Sequence, residues 1–127
     1  MNNEFLEALR DGDKMYINLS VVKALGINAG LVYHSLLAKQ YYYEQRGMLD
    51  EEGYFYSTVE DMERTTTLTR SQQDRAVATL VEAGLIDYYK GGVFRRRHFR
   101  VRTDEKLLDK FFSGSSNKSG SCKKTGK

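Results

Sequence analysis

The sequence predicts a mostly helical α+β domain, and three patterns in its second half carry that prediction. Ser57-Thr58-Val59-Glu60 and Thr69-Arg70-Ser71-Gln72 are capping boxes, which fix where two successive helices begin. The pattern Leu80-x-x-x-Gly84-Leu85-Ile86 stops the second helix at a glycine and starts a strand. Gly91-Gly92 separates two strand-like runs, as in a β-hairpin. Short helix, tight turn, longer helix and hairpin is the order of a winged helix-turn-helix.

Additional helices are predicted ahead of this unit. Phe5, Leu6 and Leu9 share one helical stripe, which indicates an amphipathic helix over residues 4–10. The segment Met15-Tyr16-Ile17 is brief and fits either an extended stretch or a loop anchored in the core.

Two more helices follow before the acidic turn. The first begins at Asn18 or Ser20, which are both favourable N-caps, and runs through Leu25. Gly26 occupies the position where a left-handed C-terminal cap is expected. Asn28 is the predicted cap of the longest helix, which Gly47 ends. The apolar stripe of that helix comprises Leu31, Val32, Leu36 and Leu37.

Three successive aromatic residues, Tyr41-Tyr42-Tyr43, close the long helix. At about 100° per residue they span about 200° of the wheel, so at least one is exposed. An exposed ring there suits a homodimer contact. The alternative is that the rings cover the rim of the core with their hydroxyl groups in water.

The remaining elements follow from local composition. Asp50-Glu51-Glu52-Gly53 predicts an exposed turn, and residues 54–56 predict a short strand. Residues 65–67, three threonines, turn the chain between the two capped helices. Strands are predicted at residues 85–90 and 94–102.

The second capped helix, over residues 69–83, has one face available to a ligand. With Val77 inward, the wheel turns Gln73 into the core and Gln72 outward. Gln72 can pair bidentately with adenine and Arg75 with guanine, and each such pair contributes about 1–3 kcal/mol of discrimination. The alternative is that both are ordinary solvated residues. The outer face as a whole comprises Ser71, Gln72, Arg75, Ala78, Thr79 and Glu82.

The ends of that face have different predicted roles. Arg70 and Ser71 lie in the first turn, where they and the unpaired N–H groups can hold a phosphate. Ala78 and Thr79 are small enough to let the helix lie close in a major groove.

The hairpin contains the densest basic run of the chain. Strand alternation places His98, Arg100 and Arg102 opposite to Phe99 and Val101. Such a row can follow a phosphate backbone or insert an arginine into a narrow minor groove. Protection of an exposed strand edge is one alternative, and an acidic protein partner is another. The run consists of Arg95, Arg96, Arg97, His98, Arg100 and Arg102.

Length and composition restrict the class of protein. The 127 residues, 40% of them hydrophobic, suit one domain over residues 1–112 followed by a flexible Ser/Gly/Lys-rich tail over residues 113–127. No apolar run approaches the roughly 18 residues of a membrane-spanning helix, and the first residues do not resemble a signal peptide. The expectation is a small soluble cytoplasmic protein.

No catalytic or cofactor motif is evident in the sequence. A single Cys122 excludes an internal disulfide framework. His34 and His98 lie in separate predicted elements without metal-ligand spacing, and no phosphate-cradling glycine motif or nucleophile elbow occurs. We therefore expect no enzymatic activity, no metal and no cofactor.

The net charge of +3 conceals an uneven distribution. Residues 1–53 carry five Lys/Arg and eight Asp/Glu, residues 54–112 carry eleven and nine, and residues 113–127 carry four lysines and no acid. The balances are −3, +2 and +4, so basic character is concentrated in the second half. This distribution is compatible with a localised polyanion-binding face.

Several of these segments resemble a known group of proteins. Asp50-Glu51-Glu52-Gly53-Tyr54-Phe55-Tyr56-Ser57, followed by Val59-Glu60-Asp61-Met62, resembles the corresponding stretch of replication initiator A-type plasmid proteins. Leu68-Thr69-Arg70-Ser71-Gln72-Gln73, with Ala76, Leu80 and Gly84-Leu85-Ile86, is similar to the winged-helix domains of phage replisome organisers and DnaD-like primosome proteins. Phe99-Arg100-Val101 matches the wing of that family.

The resemblance covers roughly residues 14–103. It implies a domain that binds double-stranded DNA at an origin or operator of a plasmid, prophage or integrative element, often as a dimer. A transcriptional regulator would use the same DNA contacts. A winged-helix interaction module that inhibits a host defence or replication complex is the alternative from another class.

Overall fold

The fold was determined as a computed structural model that describes residues 16–104, together with Glu4 and Lys106. Most of the predicted helix over residues 4–10 and the predicted tail over residues 113–127 lie outside the described residues. The elements in chain order are α1 Leu19–Leu25, α2 Ile27–Gln45, β1 Phe55–Tyr56, α3 Val59–Thr66, α4 Arg70–Glu82, β2 Ile86–Gly91 and β3 Arg96–Val101. The predicted mostly helical α+β, winged-helix arrangement is confirmed.

Helices α1 and α2 meet at a single glycine. The Asn18 Oδ1 atom caps α1 by accepting from the backbone N–H groups of Ser20 and Val21, at 2.9 and 3.2 Å. Gly26, at φ +101°, ends α1 and is also the N-cap of α2. The prediction that Asn28 caps α2 is therefore wrong, because the chain re-enters helical geometry directly after Gly26 and Asn28 lies in the first turn.

Helix α2 is the central element of the core. Val32 and Leu36 are completely buried, whereas Leu37 is 38% exposed, so the buried stripe is narrower than predicted. At its C-terminal end Tyr41 and Tyr42 are exposed, as the spacing predicted for at least one of the three tyrosines. Tyr43 instead packs on the Phe55 ring, with the ring centroids 5.7 Å apart.

The start of α3 differs from the predicted capping box. The N-cap is Thr58, whose Oγ1 accepts from the Asp61 N–H at 3.0 Å, and not Ser57. Ser57 remains extended because its N–H donates to the Arg97 carbonyl at 3.2 Å, which continues the pairing of β1 with β3. Its side chain is buried there, and its Oγ has no hydrogen-bond partner in the part of the chain that the structure describes.

The second capping box is confirmed at the start of α4. The Gln72 N–H donates to Thr69 Oγ1 at 3.3 Å, and the Thr69 N–H donates to Gln72 Oε1 at 2.9 Å. Thr65 and Thr66 belong to α3 and Thr67, in the left-handed region at φ +66°, ends it, so the turn lies at residues 67–69 and not at residues 65–67. Gly84, at φ +83°, follows the end of α4 as predicted.

The three strands form one antiparallel sheet in the order β1-β3-β2. Phe55 pairs with Phe99 on one side of β3, and Tyr88 pairs with Phe99 on the other. The hairpin loop comprises residues 92–95 rather than Gly91-Gly92 alone, because Gly91 still pairs with Arg96. The return strand is accordingly shorter than predicted.

The core lies between the helices and the inner face of the sheet. Phe99, Leu80, Met62 and Leu85 are completely buried at its centre. None of the helices formed by the described residues is long and apolar enough to cross a membrane.

Candidate nucleic-acid interface

Helix α4 presents the two faces that the helical wheel predicted. Gln73 is completely buried and Ala76, Val77 and Leu80 accompany it, whereas Ser71, Arg75 and Ala78 are exposed. The Gln73 Nε2 atom donates to the carbonyl groups of Val59 and Leu68, at 3.1 and 3.0 Å. These two bonds fix α4 against the start of α3 and the intervening turn, so the exposed face is rigidly oriented.

Arg75 lies at the middle of the exposed face. Its Nη2 atom is 3.3 Å from Ser71 Oγ, one turn earlier, and Thr79 Oγ1 donates to the Arg75 carbonyl at 3.0 Å. Neither contact neutralises the guanidinium. Arg75 and Thr79 share a groove of about 200 Å³ with Leu25 and Asn28, which brings the junction of α1 and α2 beside the same face.

Gln72 is less available for base recognition than the sequence suggested. Its Oε1 atom accepts from both the N–H and the hydroxyl of Thr69 in the capping box, at 2.9 and 3.3 Å. Bidentate pairing with adenine requires the amide oxygen as well as the amide nitrogen. While the cap is intact, Gln72 can offer only its amide N–H₂ group.

A second groove joins the start of α4 to the hairpin. It has a volume of about 150 Å³ and also contacts Thr58 at the cap of α3. Four of its cationic residues come from separate segments of the chain. Arg70 lies in the first turn of α4 and Lys90 near the end of β2, while Arg95 and Arg96 lie in the hairpin loop and at the start of β3. We call this group the cationic groove. Within residues 16–104, none of the four forms an ion pair at 4.0 Å or less.

Lys90 also lines this groove, and it was not among the predicted DNA-binding residues. It lies opposite Arg97 in the β2–β3 register and is exposed. A signal was present, since the predicted hairpin would place the last residue of the first strand beside the arginine run. The much denser charge of that run masks a single lysine on the neighbouring strand.

Arg97 differs from the other arginines of the predicted basic run, because its side chain is only 6% exposed. Its Nη2 atom donates to Gln73 Oε1 at 2.8 Å and its Nη1 lies 3.4 Å from Asp74 Oδ1. Alternation along β3 turns Arg97 to the inner face with Phe99 and Val101. There it links α4 to the sheet beside the cationic groove, and its direct contact with DNA stays a prediction.

Burial also changes the electrostatics of Arg97. Desolvation lowers the pKa of the Arg97 guanidinium, while Tyr88 and Asp74 act in the opposite direction. Its Nε atom is buried and has no hydrogen-bond partner among the described residues. Arg97 therefore belongs to the interior that supports the groove.

The two arginines at the far end of β3 are held by carboxylates. Arg100 Nη2 donates to Asp87 Oδ2 at 2.8 Å, and Arg102 Nη2 donates to Asp104 Oδ2 at 2.7 Å. Hydrogen bonding to these carboxylates raises the pKa of each guanidinium. The uncompensated positive charge of the hairpin is thus concentrated at the loop end.

The hairpin loop combines positive charge with exposed apolar side chains. Arg95 adopts a left-handed conformation at φ +50° and is exposed. Val93 is 92% exposed and Phe94 75% exposed. The Arg96 guanidinium lies 5.2 Å from the centre of the Phe94 ring, so the loop presents cations and a ring together.

The other predicted candidates are placed as follows. His98 lies on the outer face of the sheet, half-buried, away from α4. His34 is half-buried on α2, beside Lys39 and Tyr42. Among the described residues, no group of three His, Cys, Asp or Glu side chains is arranged to hold a metal ion.

Comparison with solved structures identifies the same fold in proteins of low sequence identity. The structure of a "Rep-DNA complex" aligns with a TM-score of 0.58 at 14% identity, over 93% of this chain and 100% of that chain. An "N-terminal domain of DNA binding protein" gives 0.57 at 15% identity, over 87% and 91%. An "MDR initiator" gives 0.55 at 16% identity, over 87% and 95%. No protein-family profile and no curated protein sequence matches the chain.

Proposed function

We propose that this protein binds double-stranded DNA in a sequence-specific manner through α4 and the hairpin, which acts as a wing. The observation that carries the proposal is the cationic groove, in which Arg70 of α4 meets Lys90, Arg95 and Arg96 of the wing. Cations from separate segments converge beside a helix whose outer face is exposed. This is the arrangement needed to grip a phosphate backbone while a helix lies in the major groove.

The residues divide into two roles. Arg70 and Ser71 in the first turn of α4, with the wing cations, bind phosphates and orient the domain. Arg75 is the principal base-reading residue, because it is exposed, central on the helix and bound to no carboxylate of residues 16–104. An arginine bidentate to guanine contributes about 1–3 kcal/mol of base discrimination. Thr79 and Ala78 allow close approach of the helix to the base edges.

We further propose a role in replication initiation or its control on a plasmid or phage genome. The fold is shared with a "Rep-DNA complex" and an "MDR initiator", which supports replication over other uses of DNA binding. A transcriptional regulator would use the same contacts. The proposal assigns the protein no catalytic step.

The salt dependence of duplex affinity tests the DNA-binding proposal. Removal of one phosphate-binding cation reduces the slope of log K against log salt by about 0.9. Replacing both Arg95 and Arg96 by alanine should therefore make the slope shallower by nearly two, for every duplex sequence. The control is Arg46→Ala, which removes a cation that does not line the cationic groove. Arg46 follows the C-terminal end of α2 and stacks on Tyr42. No detectable binding of genomic-fragment pools at low salt would refute the proposal.

Self-association through the end of α2 is a separate proposal. Tyr41 and Tyr42 are 69% and 51% exposed and lie on consecutive positions of the last turns. Sedimentation velocity should show a dimer for the native protein and a monomer for the Tyr41→Ser/Tyr42→Ser variant. Equal sedimentation of both proteins would refute this contact.

A further inference from the structure

The outer face of the sheet carries a row of aromatic side chains that the proposed duplex contacts do not use. Tyr56 of β1, His98 of β3 and Tyr89 of β2 occupy the same register, because Tyr56 and Tyr89 both pair with His98. Strand alternation places all three on the face opposite to Phe99 and the helices. We call these three residues the outer aromatic row.

The rings in this row contact one another and remain accessible. The Tyr89 and His98 rings are stacked, 4.7 Å apart and 7° from parallel, and the Tyr56 and His98 centroids are 6.4 Å apart. Tyr56 is 46% exposed and Tyr89 40% exposed. Tyr54 extends the row by packing its ring against Tyr89, with centroids 4.9 Å apart.

Guanidinium groups lie over the rings at both ends of the row. Arg96 is 4.7 Å from the centre of the Tyr56 ring and 5.2 Å from that of Phe94. Arg100 is 4.6 Å from the centre of the Tyr54 ring. Cations interleaved with exposed rings on an open sheet offer both phosphate attraction and stacking surfaces.

The charge of this face is not uniform. At the Tyr54 end, Asp87 pairs with Arg100 and the turn contributes Asp50 and Glu52. At the Tyr56 end, Arg95 and Arg96 are paired with no carboxylate among the described residues. The positive end of the row is therefore the end nearest the hairpin loop.

From this geometry we propose that the outer aromatic row binds single-stranded nucleic acid by stacking unpaired bases. Aromatic rings projecting from an open sheet, with arginine planes between them, are the features that hold splayed bases in single-strand-binding sheets. A flat protein partner would not require cations stacked on the rings. A duplex has its bases enclosed and offers this face only phosphates.

The Tyr89 and His98 rings lie away from the proposed duplex contacts, and Arg96 is the residue that the two surfaces share. Tyr89 and His98 lie on the outer face, whereas α4 packs on the inner face through Gln73 and Arg97. The bases of a single strand and the major groove of a duplex therefore contact opposite faces of the sheet, and the two surfaces meet at Arg96. The inference goes beyond the proposed function and does not depend on it.

The test measures binding of an oligothymidylate and an oligouridylate of about 16 nucleotides, a length that covers one such site. The native protein should bind at low salt, and quenching of tyrosine fluorescence reports it because the chain has no tryptophan. Tyr89→Ala should weaken binding by roughly five- to 150-fold, the usual loss per stacked base. Tyr89→Phe, which retains the ring, should bind like the native protein. A preference for one oligonucleotide identifies the strand as DNA or RNA, and either preference supports the site.

Two controls separate stacking from other effects. Tyr16→Ala removes an exposed tyrosine that precedes α1 and should not change oligonucleotide affinity. Duplex affinity of Tyr89→Ala should equal that of the native protein. If Tyr89→Ala does not fold, His98→Ala and Tyr56→Ala supply the same comparison.

Two results would overturn the inference: absence of oligonucleotide binding at low salt, and equal affinity for the native protein and Tyr89→Ala. If equal affinity is accompanied by a change in the sedimentation of Tyr89→Ala, the face is assigned to self-association. Loss of duplex binding alone, with ring-dependent single-strand binding intact, would refute the proposed function and leave this inference standing.

Discussion

Replacing Arg97 by alanine should destabilise the protein far more than replacing its neighbour Arg96. The two side chains are adjacent in β3 and chemically identical, but Arg97 is 6% exposed whereas Arg96 is exposed. The Arg97 guanidinium is also the donor to Gln73 Oε1, at 2.8 Å, within the core. The comparison therefore isolates the effect of facing inward.

The magnitude follows from the interactions that Arg97→Ala removes. Gln73 Oε1 would be left buried without its donor, which costs about 1–3 kcal/mol. The contact with Asp74 adds at most about 1 kcal/mol, because Asp74 is 56% exposed. Loss of the packed aliphatic stem adds to these values, while removal of the unpaired Nε offsets part of them. The expected destabilisation is about 2–4 kcal/mol, against about 0.5 kcal/mol or less for Arg96→Ala.

Urea unfolding followed by far-ultraviolet circular dichroism measures both values, provided that the m-values agree. Arg97→Met should recover the part of the stability that comes from the packed aliphatic stem, although Gln73 Oε1 still lacks its donor in that variant. If Arg97→Ala lies within about 0.5 kcal/mol of the native protein, the buried network has been misassigned.

Three other predictions concern caps, packing and pH. Thr58 caps α3, so Thr58→Ala should lower the free energy of unfolding in urea by about 1 kcal/mol. Ser57→Ala should leave this free energy unchanged or raise it, because the Ser57 hydroxyl is buried and unpaired among the described residues; a larger loss for Ser57→Ala than for Thr58→Ala would favour the predicted Ser57 cap. Gly30→Ala should destabilise by about 1–3 kcal/mol, because its Cβ would lie 2.6 Å from Val22 Cγ2; a stabilised variant would contradict the close α1–α2 packing. Burial raises the pKa of Tyr33 above its ordinary 10.0, so the contribution of Tyr33 to stability is complete below pH 10 and is lost as the pH rises further. The free energy of unfolding should therefore fall less steeply above pH 10 for Tyr33→Phe than for the native protein. Equal slopes would exclude Tyr33 as the cause.

Local signals in the sequence were sufficient for the order of the elements. Thr69 and Gln72 form a reciprocal cap whose partners lie within one turn, so the start of α4 could be predicted from spacing alone. The same pattern failed at Ser57, because the N–H of that residue is engaged by Arg97, 40 positions away in the sequence. A capping box read from sequence cannot include such a partner.

The candidate site was predictable in composition but not in orientation. The division of Gln72 from Gln73 followed from the period of the helix, and burial of Gln73 confirms it. The composition of residues 95–97, by contrast, predicts one continuous basic segment. Only the structure shows which of these arginines face the core. Register turns Arg97 inward to Gln73 and leaves Arg96 outward over Tyr56, a difference that composition does not contain.

Selection of binding sites from a random duplex pool tests the central claim most directly. The account predicts that the native protein enriches a defined sequence, that Arg75→Ala loses base preference at one position of it, and that Arg96→Ala weakens all sequences alike while retaining the same preference. Equal and sequence-independent losses from both variants would contradict the assignment of α4 as the base-reading helix.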